Sequence, residues 1–243
     1  MFDIRFTLYK TAQNFNYQEI FMNHAVSSDT LNHARDLTTA EISDALDYFN
    51  LPGSVLGIQS VAGPHRTVGI AFTVRFAPVD VAKPGTVGDY LDDMPQGSVA
   101  ILDNAGRTDC TVWGGIMSKI AAHRGIAGTV INGVCRDTAD ADEVSYPLYA
   151  VGRFMRTGKD RVQVDTVGEP VVLGGVRVTA GDLIVADKDG VVVVPAARAD
   201  EVIQRARAMH EVEQSILSAG LSGMKLSEAR SQFGYHTLQR GEK

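Results

Sequence analysis

Arg136 and Asp137 form a charged pair directly after a run of apolar residues that predicts a strand. The planar guanidinium of an arginine matches a carboxylate, and the hard oxygens of an aspartate suit Mg²⁺ or Mn²⁺. Such a pair could hold a small carboxylic acid beside a divalent metal ion. The alternative is that Arg136 and Asp137 form a surface ion pair that caps the following helix.

Two glycines, Gly114 and Gly115, begin a second stretch that could bind an anion. They lie in the first turn of a predicted helix, where the backbone N–H groups of Gly115, Ile116 and Met117 have no partner inside the helix. Because residues 114 and 115 lack side chains, a carboxylate could approach these N–H groups closely. The alternative role for both glycines is close packing of the helix against a neighbouring element.

A strand-helix-strand unit is predicted to position both groups. Residues 98–103 form an apolar strand pattern, residues 112–121 have apolar side chains at three-residue and four-residue spacing, and residues 127–132 form a second strand pattern. Since a crossover of this length joins parallel strands, the loops 104–110 and 133–137 should leave the same sheet edge and face each other. Three charged residues near the first loop could orient a ligand there: Asp103, Arg107 and Asp109.

The rest of the chain predicts an α/β domain with antiparallel hairpins and a closing helix. Thr38 and Glu41 have the spacing of a capping box before an apolar helical pattern. Beyond Gly158, short β segments alternate with glycine-containing turns, and residues 199–217 have the pattern of an amphipathic helix. We therefore expect three regions: an N-terminal extension (1–36), an α/β core (37–200), and a C-terminal helix with a polar tail (201–243).

Composition argues against several classes of protein. The 243 residues are 44% hydrophobic and include two cysteines, Cys110 and Cys135, with neither a CxxC pair nor a Cys/His cluster. A disulfide framework and a structural zinc site are therefore not expected. The net charge of -6 and the pI near 5.5 argue against nucleic acid as a partner. We expect a cytoplasmic protein that binds a small molecule, because no segment has the pattern of a secretory signal or a membrane span.

The better-known hydrolase and nucleotide-binding motifs are also absent from the sequence. None of the six histidines forms an HExxH pair, and no serine lies in a GxSxG motif. There is no GxGxxG motif after a strand and no Walker-type loop. The sequence therefore favours neither a zinc or serine hydrolase nor a nucleotide-binding protein.

Several motifs resemble those of the RraA-like family, which includes 4-hydroxy-4-methyl-2-oxoglutarate / 4-carboxy-4-hydroxy-2-oxoadipate aldolases and regulators of ribonuclease E activity. The resemblance is carried by residues 103–109, Trp113-Gly114, residues 124–128 and Asn132-Gly133-Val134-Cys135-Arg136-Asp137, and it extends over about residues 37–217. It implies an α/β core of the swivelling β/β/α type, with active sites between the subunits of a homotrimer or a dimer of trimers.

The resemblance also implies roles for individual residues. In the aldolases, the residue matching Asp137 binds Mg²⁺ or Mn²⁺, and the residue matching Arg136 holds the pyruvyl part of the substrate. Backbone amides matching residues 115–117 hold the substrate carboxylate. A glutamate from the last helix of a neighbouring subunit approaches the metal-bound waters, and Glu213, or alternatively Glu211, is the candidate here.

One position departs from the aldolase pattern. The aldolases carry an acid with twenty residues between it and the Arg-Asp pair, and this chain has Gly115 at that position. That acid orients metal-bound water in the aldolases, so the sequence predicts that a supporting carboxylate is missing here. On this basis we expect Gly115→Asp to raise the release of pyruvate.

Two hypotheses of function follow. The first is a divalent-metal-dependent lyase that acts on a small 2-oxo acid through a metal-stabilised enolate. Its reaction would be retro-aldol cleavage of a 4-hydroxy-2-oxo acid or decarboxylation of an oxaloacetate-like acid. The alternative is a non-catalytic regulatory protein of the ribonuclease-regulator type, which the missing acid at Gly115 favours.

Overall fold

The computed structural model describes residues 26–238, which form a mixed α/β fold around a nine-stranded sheet. The helices of this part of the chain are α1 (Ser28–Arg35), α2 (Thr39–Tyr48), α3 (Gly115–His123), α4 (Thr138–Glu143), α5 (Ala199–Leu221) and α6 (Leu226–Gln232). The strands are β1 (Ser54–Val55), β2 (Gln59–Ala62), β3 (Thr67–Pro78), β4 (Ser98–Thr111), β5 (Gly128–Cys135), β6 (Leu148–Arg153), β7 (Val162–Val167), β8 (Val171–Leu173), β9 (Val176–Val178), β10 (Leu183–Ala186) and β11 (Val191–Val194). Short 3-10 helices cover Asp89–Asp93, Ala196–Arg198 and Tyr235–Thr237.

The sheet combines a parallel centre with antiparallel flanks. Its strand order is β1-β11-β10-β3-β4-β5-β6-β2, and β7 pairs with the second half of β3. Strands β3, β4, β5 and β6 are parallel to one another, whereas the remaining pairs are antiparallel. The predicted α/β class and the parallel β4–α3–β5 crossover are therefore confirmed. The predicted hairpins are present in β8–β9 and β10–β11, but β7 pairs with β3 instead.

All the core helices cover one face of the sheet, and the β8–β9 hairpin covers the other. Along β3, Phe72 and Val74 contact the cluster under α3 and α4, while Val68 and Ile70 contact the cluster under α1, α2 and α5. Ala71 points the opposite way, into the cluster beneath the hairpin. Because alternate residues are buried on both faces, the central strands are nearly continuous apolar runs.

Local capping signals set the start of the first two helices. The predicted capping box is confirmed, because the Thr38 hydroxyl accepts the Glu41 N–H and the Glu41 carboxylate accepts the Thr38 N–H. Residues 28–35 were not predicted as a helix, but they form α1, which the Ser27 hydroxyl caps and which buries Ala34 in the core. Residues 1–25 of the predicted N-terminal extension lie outside the described residues.

The predicted loop at residues 104–110 is wrong, because β4 continues to Thr111. Asp103, Arg107 and Thr111 pair with three successive residues of β5, so the intervening residues bulge out of the ladder. Ala105 and Gly106 allow this bulge by adopting left-handed backbone conformations, with φ of 54° and 68°. Strand β5 likewise extends to Cys135, so the second loop begins at Arg136 and not at residue 133.

The C-terminal part of the chain is more ordered than predicted. Helix α5 runs to Leu221, and the predicted polar tail contains α6 and a further 3-10 turn. Between residues 26 and 238, none of the helices combines the length and apolar character that crossing a membrane would require.

Candidate functional site

The structure brings the two predicted groups together around one pocket at the carboxyl end of the parallel strands. The pocket has a volume of about 290 Å³. Its walls include all six residues predicted for the substrate and metal: Gly114, Gly115, Ile116, Met117, Arg136 and Asp137. Val87 and Thr157 also line it. The pairing of parallel strands explains this convergence, since β4 leads into α3 and its neighbour β5 leads into Arg136.

The side chain of Asp137 points towards the start of α3. Its Oδ2 atom accepts a hydrogen bond from the Gly115 N–H at 3.1 Å and lies 3.5 Å from Nε of Arg136. The predicted anion site at this helix start therefore binds an anion of the chain itself. Nearly half of the Asp137 side chain is exposed to solvent (45%), so its carboxylate can also be reached from the pocket.

The backbone of Asp137 explains this orientation. Asp137 is the N-cap residue of α4 but has left-handed dihedral angles (φ 55°, ψ 41°), and its side chain makes no hydrogen bond to its own helix. Aspartate tolerates this conformation better than most residues. The alternative interpretation, in which the carboxylate caps the following helix, therefore does not describe this structure.

Gly114 is needed where Arg136 and Asp137 approach α3. A Cβ atom at position 114 would lie 2.9 Å from Asp137 Oδ2 and 3.2 Å from Arg136 Nε. These separations are shorter than ordinary van der Waals contacts, so a side chain here would push the charged pair away. Gly114 thus permits close approach of functional side chains rather than packing of a neighbouring helix.

Asp140 is a residue near the pocket that the sequence analysis missed. Its Oδ2 atom lies only 1.9 Å from the position that a Cβ atom at residue 115 would take. The other oxygen, Oδ1, is 2.9 Å from Nζ of Lys119. A carboxylate therefore fills the space beside Gly115 from α4 instead of from α3. The spacing of Asp137 and Asp140, three residues apart at the start of a helix, was the available signal in the sequence.

Trp113 supports the pocket wall from below. This tryptophan, the only one in the chain, is 2% exposed and stacks on Tyr146 with ring centroids 5.9 Å apart. Its indole N–H donates to the Ser118 hydroxyl at 2.9 Å, and its carbonyl accepts the Arg136 N–H at 3.2 Å. Trp113 thus ties the start of α3 to the Arg136 backbone and gives the pocket a spectroscopic reporter.

The three charged residues near the first predicted loop do not line the pocket. Asp103 accepts hydrogen bonds from the Asn132 side chain and the Ala105 N–H, both at 2.9 Å. Arg107 and Asp109 bind each other through two contacts of 2.8 and 2.9 Å. Because their polar groups are committed to the bulge of β4, the prediction that these residues orient the ligand finds no support in the structure.

Glu213 and Glu211 lie on α5, and neither lines the pocket of the same chain. Glu213 is half-buried, and its pKa is raised by burial and by the negative charges of Glu41 and Asp44. Glu211 is exposed. Contribution of either carboxylate to a neighbouring subunit's pocket stays a prediction.

The two cysteines do not provide a nucleophile. Both are buried, and burial raises the pKa of the Cys135 thiol to about 11. A thiol of this pKa is protonated at neutral pH, and the protonated form is a poor nucleophile. Covalent thiolate chemistry is therefore not expected beside Arg136.

The one carboxylate that the described part of the chain places on the pocket wall, Asp137, fits a hard metal ion better than a soft one. Across residues 26–238 there is no group of three or more His, Cys, Asp and Glu side chains able to hold a metal. An ion at Asp137 would take most of its ligands from water and substrate. Mg²⁺ commonly binds in this way, through one or two protein carboxylates and several waters. The donor set therefore fits Mg²⁺ or Mn²⁺.

A family model described as RraA-like: Aldolase/RraA matches residues 39–193, which include both edges of the pocket. The chain belongs to the RraA-like family. The resemblance found in the sequence motifs is therefore confirmed. At position 115 this chain has glycine, and the Asp140 carboxylate of α4 lies in the space beside it.

The region that matches this RraA-like chain makes up different shares of its relatives. Protein DlpA of Legionella pneumophila is 35% identical over 218 residues, which make up 86% of this chain but 35% of DlpA. The chain thus spans about a third of DlpA. A Halalkalibacterium halodurans protein provisionally named 4-hydroxy-4-methyl-2-oxoglutarate aldolase is 31% identical over 185 residues, covering 74% of this chain and 82% of that protein.

Solved structures share this RraA-like fold. An uncharacterized protein from Pseudomonas syringae matches with a TM-score of 0.79 and 44% identity, covering 84% of this chain and 98% of that protein. RraAS2 of Streptomyces coelicolor, described as an unusual member of the RNase ES inhibitor RraA protein family, matches with a TM-score of 0.71 and 23% identity, covering 78% of this chain and 96% of that one. At that identity, the second match shows the fold alone.

Proposed function

We propose that this chain is a divalent-metal-dependent lyase that releases pyruvate from small 2-oxo acids. The reaction would be retro-aldol cleavage of a 4-hydroxy-2-oxo acid or decarboxylation of an oxaloacetate-like acid. The observation that carries the proposal is the convergence of Arg136, Asp137 and the start of α3 on one pocket. The name of the Halalkalibacterium relative supports the same class of reaction.

Each group has a distinct task in this proposal. The Arg136 guanidinium binds the pyruvyl part of the substrate, and the amides of residues 115–117 bind its carboxylate. Asp137 holds the metal ion. When bound, the ion supplies positive charge next to the 2-oxo group, where negative charge develops as the bond to C3 breaks. The Gly115 N–H becomes available to the substrate carboxylate only when Asp137 releases its hydrogen bond to that amide.

Asp140 bears on the choice between a lyase and a regulator. The regulator hypothesis drew its support from the missing acid at position 115. Asp140 Oδ2 lies 1.9 Å from where a side chain at that position would begin, and we propose that it serves as the supporting carboxylate from α4. The nearness of Asp140 to Gly115 thus supports the lyase proposal despite the departure from the aldolase pattern.

We further propose that the active unit is a trimer or a dimer of trimers in which Glu213 reaches a neighbour's pocket. Two large apolar side chains next to Arg136 and Asp137 support an interface there. Ile116 is 78% exposed at the pocket, and Met155 is 75% exposed at a second pocket on the other side of the same pair. An interface that covered both side chains would remove this apolar surface from water.

A metal-supplemented assay of pyruvate release tests the lyase proposal. Oxaloacetate and 4-hydroxy-4-methyl-2-oxoglutarate would be offered with Mg²⁺ and with Mn²⁺. Arg136→Met should lower kcat/KM about 10-fold to 100-fold, the usual worth of a charge-assisted hydrogen bond. Arg177→Met is a matched control, because Arg177 is exposed on the β8–β9 hairpin. If no 2-oxo acid yields pyruvate with either metal, the lyase proposal is wrong.

A further inference from the structure

Lys119 links α3 to α4 at a point that the proposed function does not use. It lies four residues after Gly115, so both residues are on the same face of α3. Its ammonium group contacts two carboxylates of α4: Asp140 Oδ1 at 2.9 Å and Glu143 Oε2 at 3.0 Å. Hydrogen bonds to Asp140 and then to Glu143 raise the pKa of Lys119, which therefore stays cationic at neutral pH.

The contact with Lys119 determines how the Asp140 carboxylate is oriented. One oxygen, Oδ1, is held by the ammonium group, and the other, Oδ2, points into the space beside Gly115. Asp137 accepts the Gly115 N–H, and Asp140 lies beside the Cα atom of Gly115. The two carboxylates therefore approach the same residue. Asp140 is 41% exposed and could otherwise turn into water, away from the negative charge of Asp137.

The energy of this ion pair does not explain its presence. Both side chains are nearly half exposed, at 46% and 41%, and exposed ion pairs contribute little to folding stability. Ala121 of α3 and Ala141 of α4 are both buried in the same hydrophobic cluster, so the core already holds these two helices. The consequence of the Lys119–Asp140 contact is therefore placement of a charged group, not support of the fold.

We propose that Lys119 is a positioning residue that holds the Asp140 carboxylate in the space that a side chain at residue 115 would fill. From there, Asp140 would orient water on an ion held by Asp137. The inference rests on the metal site of the proposed function and deepens it. In this arrangement, an acid on α4 and a lysine on α3 together replace a single acid on α3.

Mn²⁺ binding measured by electron paramagnetic resonance on the full chain tests the role of Lys119 without requiring turnover. Lys119→Met should weaken Mn²⁺ binding about tenfold, as loss of an outer partner of a metal ligand does. Lys119→Arg should restore affinity to within about threefold of the wild type, since it keeps the charge. Glu143→Gln is the matched control, because it removes the other contact of Lys119 and leaves Asp140 in place.

The double variant Lys119→Met/Asp140→Asn shows whether Lys119 acts through Asp140. If it does, Lys119→Met has no further effect on affinity once Asp140 is neutral. Equal losses in both backgrounds, or unchanged affinity in Lys119→Met, would overturn the role of Lys119 while leaving the metal site intact. Absence of Mn²⁺ binding in the wild-type chain would instead overturn the metal site, and the role of Lys119 with it. Thermal unfolding of each variant distinguishes loss of the fold from displacement of the Asp140 carboxylate.

Discussion

Replacing Gly115 with aspartate tests how the space between α3 and α4 is shared. A Cβ atom at residue 115 would lie 1.9 Å from Asp140 Oδ2, 2.8 Å from its Cγ and 3.1 Å from its Cβ. The Asp140 carboxylate would have to move by about 1.5 Å to reach ordinary contact distance. Such a shift breaks its 2.9 Å contact with Lys119.

The size of the effect of Gly115→Asp on stability and activity depends on which group is displaced. Asp140 is 41% exposed, so it can turn into solvent, and the stability cost should be near the low end of the about 1–3 kcal/mol expected for overpacking. While Asp140 is still present, the new carboxylate would compete with it for the same space and face its negative charge, so neither group would be held in place. We therefore expect Gly115→Asp alone to lower activity about tenfold, the scale of losing a group that supports a metal ligand. The increase expected from the sequence is replaced by a decrease.

Removing Asp140 at the same time should reverse this loss. Asp140→Ala alone should also lower activity about tenfold, for the same reason. In Gly115→Asp/Asp140→Ala, the new carboxylate has free space and a lysine four residues further along α3, which favours an ion pair. We expect activity within about threefold of the wild type, a rescue possible only for residues that share one space.

The assay is pyruvate release from oxaloacetate and 4-hydroxy-4-methyl-2-oxoglutarate with saturating Mg²⁺. Asp142→Ala is the control, because Asp142 lies on the same helix but accepts the Gly63 N–H at 2.7 Å, away from the pocket. Asp142→Ala should keep full activity. If the losses from Gly115→Asp and Asp140→Ala multiply in the double variant, the two positions do not share a function and the reasoning is refuted.

Four further predictions address the metal, the fold and the assembly. Excess chelator should abolish pyruvate release and added Mg²⁺ or Mn²⁺ should restore it; full turnover in chelator would contradict a metal at Asp137. Asp137→Asn should remove the metal-dependent activity with little change in melting temperature, because the residue is 45% exposed and asparagine tolerates its left-handed backbone; a variant that unfolds would indicate a structural role. Although burial acts to raise it, hydrogen bonds from His210 and Thr38 hold the pKa of Glu41 below its usual value of 4.5. The stabilisation from Glu41 is then present above pH 4.5 and lost as pH falls through the lower folded value, so Glu41→Gln should flatten the acid side of a plot of unfolding free energy against pH. Light scattering should give a multiple of three chains, and Ile116→Glu should shift the population towards smaller species; a wild-type monomer would rule out the proposed assembly.

The parts of the fold that were predicted correctly depend on signals close together in the chain. The capping box of Thr38 and Glu41 uses groups three residues apart, so it is visible without knowledge of the tertiary structure. The β4–α3–β5 crossover follows from a change of apolar period and from the handedness of such connections. Parallel strands end at one edge of a sheet, so the meeting of residues 114–117 with Arg136 and Asp137 could also be predicted.

Other features could not be predicted because distant parts of the chain create them. β7 looked like a hairpin strand, but its partner is the second half of β3, far away in sequence. The bulge of β4 arises because residues 103–111 of β4 lie opposite only three residues of β5, 132–134. No local sequence pattern shows this mismatch. Helix α1 has weak helical signals of its own and becomes stable by burying Ala34 against the core.

The candidate site also has a part that the sequence predicts and a part that depends on the tertiary structure. Residue types and spacing determined that Arg136 and Asp137 face a glycine-rich helix start, because each group is presented by its own strand or helix. Only the tertiary structure decided what lies beside Gly115, since the space left by a missing side chain can be filled by any element that packs there. Here that element is α4, and the side chain is Asp140, held by Lys119. A sequence records which side chain a position lacks, whereas the packing of two helices determines which side chain takes its place.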